Sequence, residues 1–93
     1  MDRTFHIVFT MKTAKGTETF ARFFLGNDAK TALDIFRKLR GTEEVNDRTV
    51  LTMEYVERRG GLPVNLKVQC CTLEELADNC KVITKELFKI YSC

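Results

Sequence analysis

Residues 17–26 read TETFARFFLG, with three phenylalanines around one arginine. Because the side chains of a β-strand point alternately to its two faces, Phe20, Arg22 and Phe24 are expected on one face and Phe23 on the other. Whichever face the rest of the protein covers, at least one phenylalanine stays on the uncovered face. The architecture of the protein therefore depends on what lies against this strand.

The residues before this stretch predict its hairpin partner. Between Thr4 and Lys12 apolar and polar residues alternate, and this period of two is typical of a half-buried strand. The turn that follows ends at Gly16, and glycine readily takes the positive φ of a tight turn. We therefore expect a β-hairpin with strands at residues 4–12 and 18–25.

A helix is predicted after the hairpin. Asn27 or Asp28 can cap it by accepting hydrogen bonds from backbone amides of the first turn, and Gly41 is a natural stop. Between these points apolar residues recur at helical spacing: Ala29, Ala32, Leu33, Phe36 and Leu39.

The second half of the chain follows the same plan. Strands are expected at residues 49–58 and 62–71, separated by a glycine-containing turn. Thr72 and Glu75 then form the sequence signature of a capping box. A long apolar stripe at helical spacing follows and predicts a second helix that runs nearly to the end of the chain.

These elements predict an α+β protein with the order ββαββα. The 93 residues suit a single domain, 1–93, made of two ββα units at about 3–41 and 49–92. Each helix must bury its apolar stripe, so we expect a two-layer sandwich in which both helices cover one face of a four-stranded antiparallel sheet. Right-handed crossovers favour the strand order 1-2-4-3. This is the order of a circularly permuted ferredoxin-like fold whose last strand has moved to the front.

Two registers are open for the second strand. An arginine beneath the helices would need a buried partner, which favours Phe20, Arg22 and Phe24 on the open face of the sheet. Aligning the two halves of the chain by their helices instead sets Phe20 and Phe24 level with residues of the fourth strand that are expected to face inward. A bulge near Gly26 would reconcile the two registers. In both cases an aromatic, partly apolar sheet face remains uncovered.

The composition is that of an ordinary soluble domain, with 44% hydrophobic and 30% charged residues and a net charge of +2. No apolar run approaches the roughly 18 residues of a membrane span, and the N-terminus lacks the apolar run of a secretory signal. The cysteines cluster in the last quarter of the chain and do not resemble a disulfide framework: Cys70, Cys71, Cys80 and Cys93. We therefore expect a cytoplasmic protein that does not enter a membrane.

No catalytic, cofactor or metal site is predicted. The cysteine spacing lacks the C-x-x-C pairs of a metal site. His6 and Cys71 are expected two strands apart, about 10 Å, which is too far for a Cys–His pair. We expect Cys70 to face the core, Cys71 to lie outward, and Cys93 to be exposed. An enzyme would need convergent polar groups in a pocket, so the protein is expected not to be an enzyme.

An uncovered apolar sheet face usually marks an interface. We therefore expect a small non-enzymatic binding or assembly module that forms a homodimer through this open face, or binds another protein there. The side chains expected at the interface are Phe20, Arg22, Phe24, His6 and Val8.

The alternative is a domain that binds RNA or DNA. Aromatic residues on an open sheet can stack on bases, and basic residues are expected to gather at one pole of the fold: Lys12, Lys15, Arg37, Lys38 and Arg40. The net charge is too small to favour this alternative over a solvated surface.

Overall fold

Two β-hairpins alternate with two helices along residues 3–91, the part of the chain that the computed structural model describes. The elements are β1 (Arg3–Thr13), β2 (Gly16–Gly26), α1 (Ala29–Arg37), β3 (Leu51–Arg59), β4 (Leu62–Cys70) and α2 (Leu73–Tyr91). All paired strands are antiparallel. The α+β class, the order ββαββα and the four-stranded antiparallel sheet are therefore confirmed.

The hydrophobic core lies between one face of the sheet and the two helices. The sheet contributes buried side chains mainly from β1 and β3: Phe5, Ile7, Phe9, Leu51, Met53 and Tyr55. The helices contribute Ala32, Ile35, Phe36, Leu76 and Ile83 to the same cluster. The ring of Phe36 stacks on that of Tyr55, with 5.0 Å between the ring centres. Both helices therefore cover the same face of the sheet.

The strand order is β2-β1-β3-β4, so the predicted order 1-2-4-3 is wrong. The chain matches the ferredoxin-like arrangement in its antiparallel sheet and two helices but not in the order of its strands. The connection from β2 through α1 to β3 passes over one strand in either order, so the handedness rule does not distinguish them. Burial explains the observed order. β1 and β3 carry the most buried side chains and lie in the centre, whereas β4 is exposed along most of its length and lies at an edge.

Each helix begins close to the predicted residue. Thr72 and Glu75 form the predicted capping box, because the Thr72 hydroxyl accepts from the Glu75 amide at 3.1 Å and the Glu75 carboxylate accepts from the Thr72 amide at 2.9 Å. Asp28 is the N-cap residue of α1, but its side chain does not form the capping hydrogen bond expected from the sequence. Its carboxylate accepts instead from the hydroxyl of Thr31 at 2.5 Å.

Phe20 is not on the face expected for it. A register shift in β2 leaves Phe20 without a partner in β1, and its ring centre lies 6.2 Å from that of the buried Phe9. A bulge inserts one extra residue and so inverts the alternation of side chains, which turns Phe20 toward the helix-covered side. A second register shift at Leu25 lies next to Gly26, where a bulge was anticipated.

Candidate functional site

The open face of the sheet carries the other side chains expected there. His6 pairs with Phe24, and Val8 pairs with Arg22, on the side of the sheet away from the helices. The rings of His6 and Phe24 lie 5.5 Å apart. The structure therefore brings together four of the five residues predicted for the interface and separates Phe20 from them.

Residues that lie opposite one another on neighbouring strands form rows across the open face. The row of His6 and the row of Val8 border a shallow cavity of about 290 Å³. Val8 and Val56 lie at its floor, and Val8 is only 8% exposed although no helix covers it. Long charged side chains surround these valines: Arg22 from β2, and Glu54 and Arg58 from β3. This face is therefore a charged rim around an apolar floor rather than the aromatic patch that the sequence predicts.

The pKa of His6 reflects its surroundings in this cavity. Burial, followed by the positive charges of Arg22 and Arg58, holds the pKa of His6 below its ordinary value of 6.5. The His6 Nε2 atom lies 2.9 Å from the Thr4 hydroxyl, while its Nδ1 atom is buried without a hydrogen-bond partner. The two arginines therefore add a positive potential at the same histidine.

Most of the exposed apolar surface lies elsewhere, on β4 and α2. Three large apolar side chains of β4 are exposed there: Leu62, Val64 and Leu66. A fourth, Val68, pairs with Glu54 and therefore lies on the open face. Four of α2 are exposed as well: Leu73, Phe88, Ile90 and Tyr91. The exposed fraction reaches 71% for Leu62, 72% for Leu73 and 70% for Phe88, compared with 49% for Phe24 on the open face.

The position of α2 explains why one of its flanks is exposed. α1 contacts β1 and β2, and α2 lies beside it, with the buried Asn79 side chain donating to the sulfur of Met53 in β3. The flank of α2 toward α1 carries two ion pairs, Asp78 with Arg40 and Glu86 with Lys38. The opposite flank faces the β4 side of the sheet, and no element of residues 3–91 covers it.

The uncovered flank of α2 is an apolar stripe. Its exposed residues recur at helical spacing: Leu73, Ala77, Thr84 and Phe88. Cys80 lies at the border of this stripe and packs partly against the core. A shallow cavity of about 660 Å³ lies along it, lined by Cys80, Thr84, Phe88 and the side chains of Lys81, Lys85 and Lys89. We call this stripe, together with Leu62, Val64 and Leu66 of β4, the β4–α2 surface.

The outer edge of β4 is open along most of its length, although a register shift at Leu66 interrupts the strand. Lys67 is the one charged side chain of the strand, and Pro63 lies near its start. Among the described residues 3–91, Thr42 is the one backbone partner on this edge, and it exchanges hydrogen bonds of 2.8 and 2.9 Å with Cys70, the last residue of the strand. The rest of the edge has no partner strand within residues 3–91.

Three of the five basic residues expected at one pole are already engaged. The Lys12 ammonium donates to the carbonyl oxygen of Asp47 at 2.6 Å. Lys38 pairs with Glu86 at 2.7 Å, and Arg40 pairs with Asp78 at 3.0 Å. Lys15 lies in the first hairpin turn and Arg37 in the last turn of α1, both exposed.

The three cysteines within residues 3–91 do not assemble a reactive site. Cys71 packs against the core, whereas Cys70 pairs with Thr52 in a row of the open face, so the sequence assigned their orientations the wrong way round. Burial, followed by the charge of Glu75, raises the pKa of Cys71 to about 11. Cys93 lies outside the described residues.

No cysteine of residues 3–91 lies beside His6. β1 pairs directly with β3, and His6 lies opposite Val56, whereas the Cys71 amide donates to the carbonyl of Leu51. Leu51 is five residues from Val56, or about 17 Å along a strand. Within residues 3–91 no group of three or more side chains is placed to hold a metal ion.

One feature of the sequence points to the β4–α2 surface, namely the width of the apolar face of α2. Helical periodicity alone did not distinguish its exposed part from the part that packs on the core. The apolar residues of α2 extend around more of the helix than one core-facing stripe needs, since Leu73 lies about a fifth of a turn, and Phe88 about a third of a turn or more, from Leu76 and Ile83. An apolar face this wide predicts a second contact.

Neither of the helices described in residues 3–91 combines the length and the apolar character that crossing a membrane would require. Comparison with models of protein families, with curated proteins and with solved structures finds no match for this chain.

Proposed function

We propose that this protein is a small assembly module that forms a homodimer through the β4–α2 surface. The main observation in support is that the edge strand β4 and the neighbouring flank of α2 are both exposed. Apolar surface of this extent, rimmed by polar residues, is typical of interaction sites. The edge of β4 adds unpaired backbone groups, which pair readily with a strand from another chain.

A twofold axis beside β4 satisfies both features at once. Two copies of β4 would pair as antiparallel strands and extend the sheet from four strands to eight. The same axis would bring the two α2 helices together in antiparallel orientation, with Phe88 of one copy close to the partner's Leu73. Such a contact is isologous, meaning that each copy contributes the same surface and the assembly closes as a dimer.

The charges of α2 favour a second copy as the occupant of this surface. Glu74 and Glu75 lie in the first turn, whereas Lys81 lies at the middle of the helix and Lys85 in its second half. Antiparallel pairing of two identical helices places the acidic start of each beside the basic half of the other. Complementary charges of this kind fix the register and orientation of an interface.

The open face of the sheet supports the dimer proposal less well. It presents the charged side chains of Arg22, Glu54 and Arg58 around its floor, and a flat self-contact would place like charges together. Nucleic-acid binding also has less support, because Lys12, Lys38 and Arg40 already have partners and Phe20 lies on the other side of the sheet.

Light scattering coupled to size-exclusion chromatography tests the proposal. We expect the wild-type protein to have twice the mass of the 10.7 kDa chain. Phe88→Asp should reduce that mass to one chain, because it places a charge in the proposed contact. Phe24→Asp is the matched control, since it places the same charge on the open face and should leave the dimer intact.

Circular dichroism would verify that both variants fold, and the exposure of both rings makes this the expected result. A wild-type protein that is monomeric at all concentrations would contradict the proposal. A dimer that Phe24→Asp dissociates and Phe88→Asp does not would place the interface on the open face of the sheet instead.

A further inference from the structure

We infer that the cavity on the open face of the sheet binds a small organic anion, with Arg22 and Arg58 holding a carboxylate or phosphate group and Val8 and Val56 contacting an apolar body. Nothing in this inference depends on the proposed dimer. The β4–α2 surface lies at the other side and edge of the sheet, so the cavity stays accessible in either oligomeric state.

The two guanidinium groups approach the cavity from different strands. Arg22 lies on β2 in the row of Val8, and Arg58 lies on β3 opposite Thr4, so the His6 row lies between them. Both side chains line the same cavity. Guanidinium groups bind carboxylates and phosphates through paired N–H donors, which gives the site a chemical preference as well as a charge.

Neither arginine of the cavity forms an ion pair within residues 3–91, and the cavity holds two arginines against one carboxylate. Arg22 has no ion pair or side-chain hydrogen bond within residues 3–91. Arg58 donates only to the backbone carbonyl of Gly61, at 3.1 Å. Glu54 is the one carboxylate lining the cavity, and it accepts a hydrogen bond from Asn65 at 2.5 Å instead of pairing with either arginine.

The pKa of His6 is lowered first by burial and then by the positive charges of Arg22 and Arg58. Both Arg22 and Arg58 act on the same imidazole. The groups that face it are these two arginines, Glu54 of β3, and the uncharged Thr4 and Asn65. A bound anion would offset the charge of the arginines and raise the pKa of His6.

The shape of the cavity restricts the ligand to a small molecule. Its volume of about 290 Å³ is just below the range of about 300–1,000 Å³ that is usual for ligand sites. The floor is apolar and the rim is charged, so an inorganic anion would use only the rim. An aromatic or aliphatic acid with a single ring or short chain would use both.

The test is a titration of the full chain followed by two-dimensional NMR. The probes are benzoate, phenyl phosphate and inorganic phosphate, with benzyl alcohol as the uncharged control. We expect benzoate or phenyl phosphate to shift the signals of His6, Val8 and Val56 in a saturable way, at lower concentration than inorganic phosphate or benzyl alcohol. Whichever of benzoate and phenyl phosphate binds more tightly identifies the anionic group, a carboxylate or a phosphate, that the site prefers.

Two variants and one control locate the site. Arg22→Gln and Arg58→Gln should each weaken binding about tenfold or more, and Arg37→Gln, which removes an exposed arginine from α1, should leave it unchanged. The His6 pKa, followed by its ring signals, should rise when the better anion is bound. It should also rise in the Arg22→Gln variant without ligand, which would show that the arginine acts on this imidazole.

Three results would overturn the inference. The first is the absence of saturable shifts with either organic anion. The second is equal binding by wild-type, Arg22→Gln and Arg58→Gln proteins. The third is tighter binding at the same residues by a short single-stranded oligonucleotide than by phenyl phosphate, which would assign the face to nucleic acid.

Discussion

The side chain of Asn79, which is completely buried, makes two hydrogen bonds with the backbone of Arg40. The Arg40 amide donates to Asn79 Oδ1 at 2.8 Å, and Asn79 Nδ2 donates to the Arg40 carbonyl oxygen at 2.8 Å. This pair fastens the segment after α1 to the middle of α2. The two hydrogen bonds satisfy the amide and the carbonyl of Arg40, which have no helical partner because α1 has already ended.

Replacing Asn79 by alanine should strongly destabilise the fold. The change leaves the donor and the acceptor of Arg40 unpaired and opens a cavity in the core, which together should lower the free energy of unfolding by about 2–4 kcal/mol. Urea denaturation at pH 7.5 would measure the change. Asn65→Ala is the control, because that side chain is exposed and should alter stability by only about 0.5 kcal/mol. Equal effects of the two substitutions would contradict this role for Asn79.

The stability of the protein should decrease as the pH falls below the ordinary pKa of histidine. The pKa of His6 in the folded state is below 6.5, so the unfolded chain binds a proton first. Its contribution to stability is fully present above pH 6.5 and is lost as the pH falls through the lower, folded-state pKa. The lowered carboxyl pKa values of Asp28 and Glu86 act at lower pH, because their ordinary values are 3.8 and 4.5.

Urea denaturation of the wild-type protein at pH 7.5 and at pH 5.5 would therefore isolate the effect of His6. We expect a lower midpoint at pH 5.5. His6→Gln, which cannot take up the proton, should reduce the difference between the two midpoints. An equal difference in the variant would show that another group titrates in this range.

Cys71 should react slowly with alkylating reagents while the protein is folded. With a pKa of about 11, about one Cys71 in a thousand is a thiolate at pH 8, compared with roughly a quarter for an ordinary cysteine. Since the thiolate is the reactive form, iodoacetamide should label Cys71 at least about tenfold more slowly in the folded protein than in urea. Peptide mass spectrometry would follow each cysteine separately. Labelling of Cys71 at the same rate in both conditions would contradict the assignment of this thiol to the core.

The elements of the fold could be predicted because their signals are local. Alternation from Thr4 to Lys12 and the glycine at position 16 specify a hairpin within a few residues of each other. The capping box of Thr72 and Glu75 lies within one turn and appears in the structure as predicted. Interactions within such short segments depend little on the rest of the protein.

The position of Phe20 could not be predicted, because it depends on pairing between strands. The bulge that turns this ring toward Phe9 inserts one residue in β2, and nothing in the alternating pattern indicates where such an insertion occurs. A shift of one residue exchanges the two faces of a strand. The predicted interface consequently contained one residue from the wrong side of the sheet.

The amino-acid sequence by itself determined the ββαββα order, the helix starts and the apolar stripes, since spacing along the chain sets each of them. The tertiary structure decided that β1 and β3 are central, that β4 is an edge, and that α2 leaves one flank uncovered beside it. These features result from a competition among all four strands for burial under two helices. The pattern of one segment cannot report the outcome, because every strand in this chain carries enough apolar residues to take a central place.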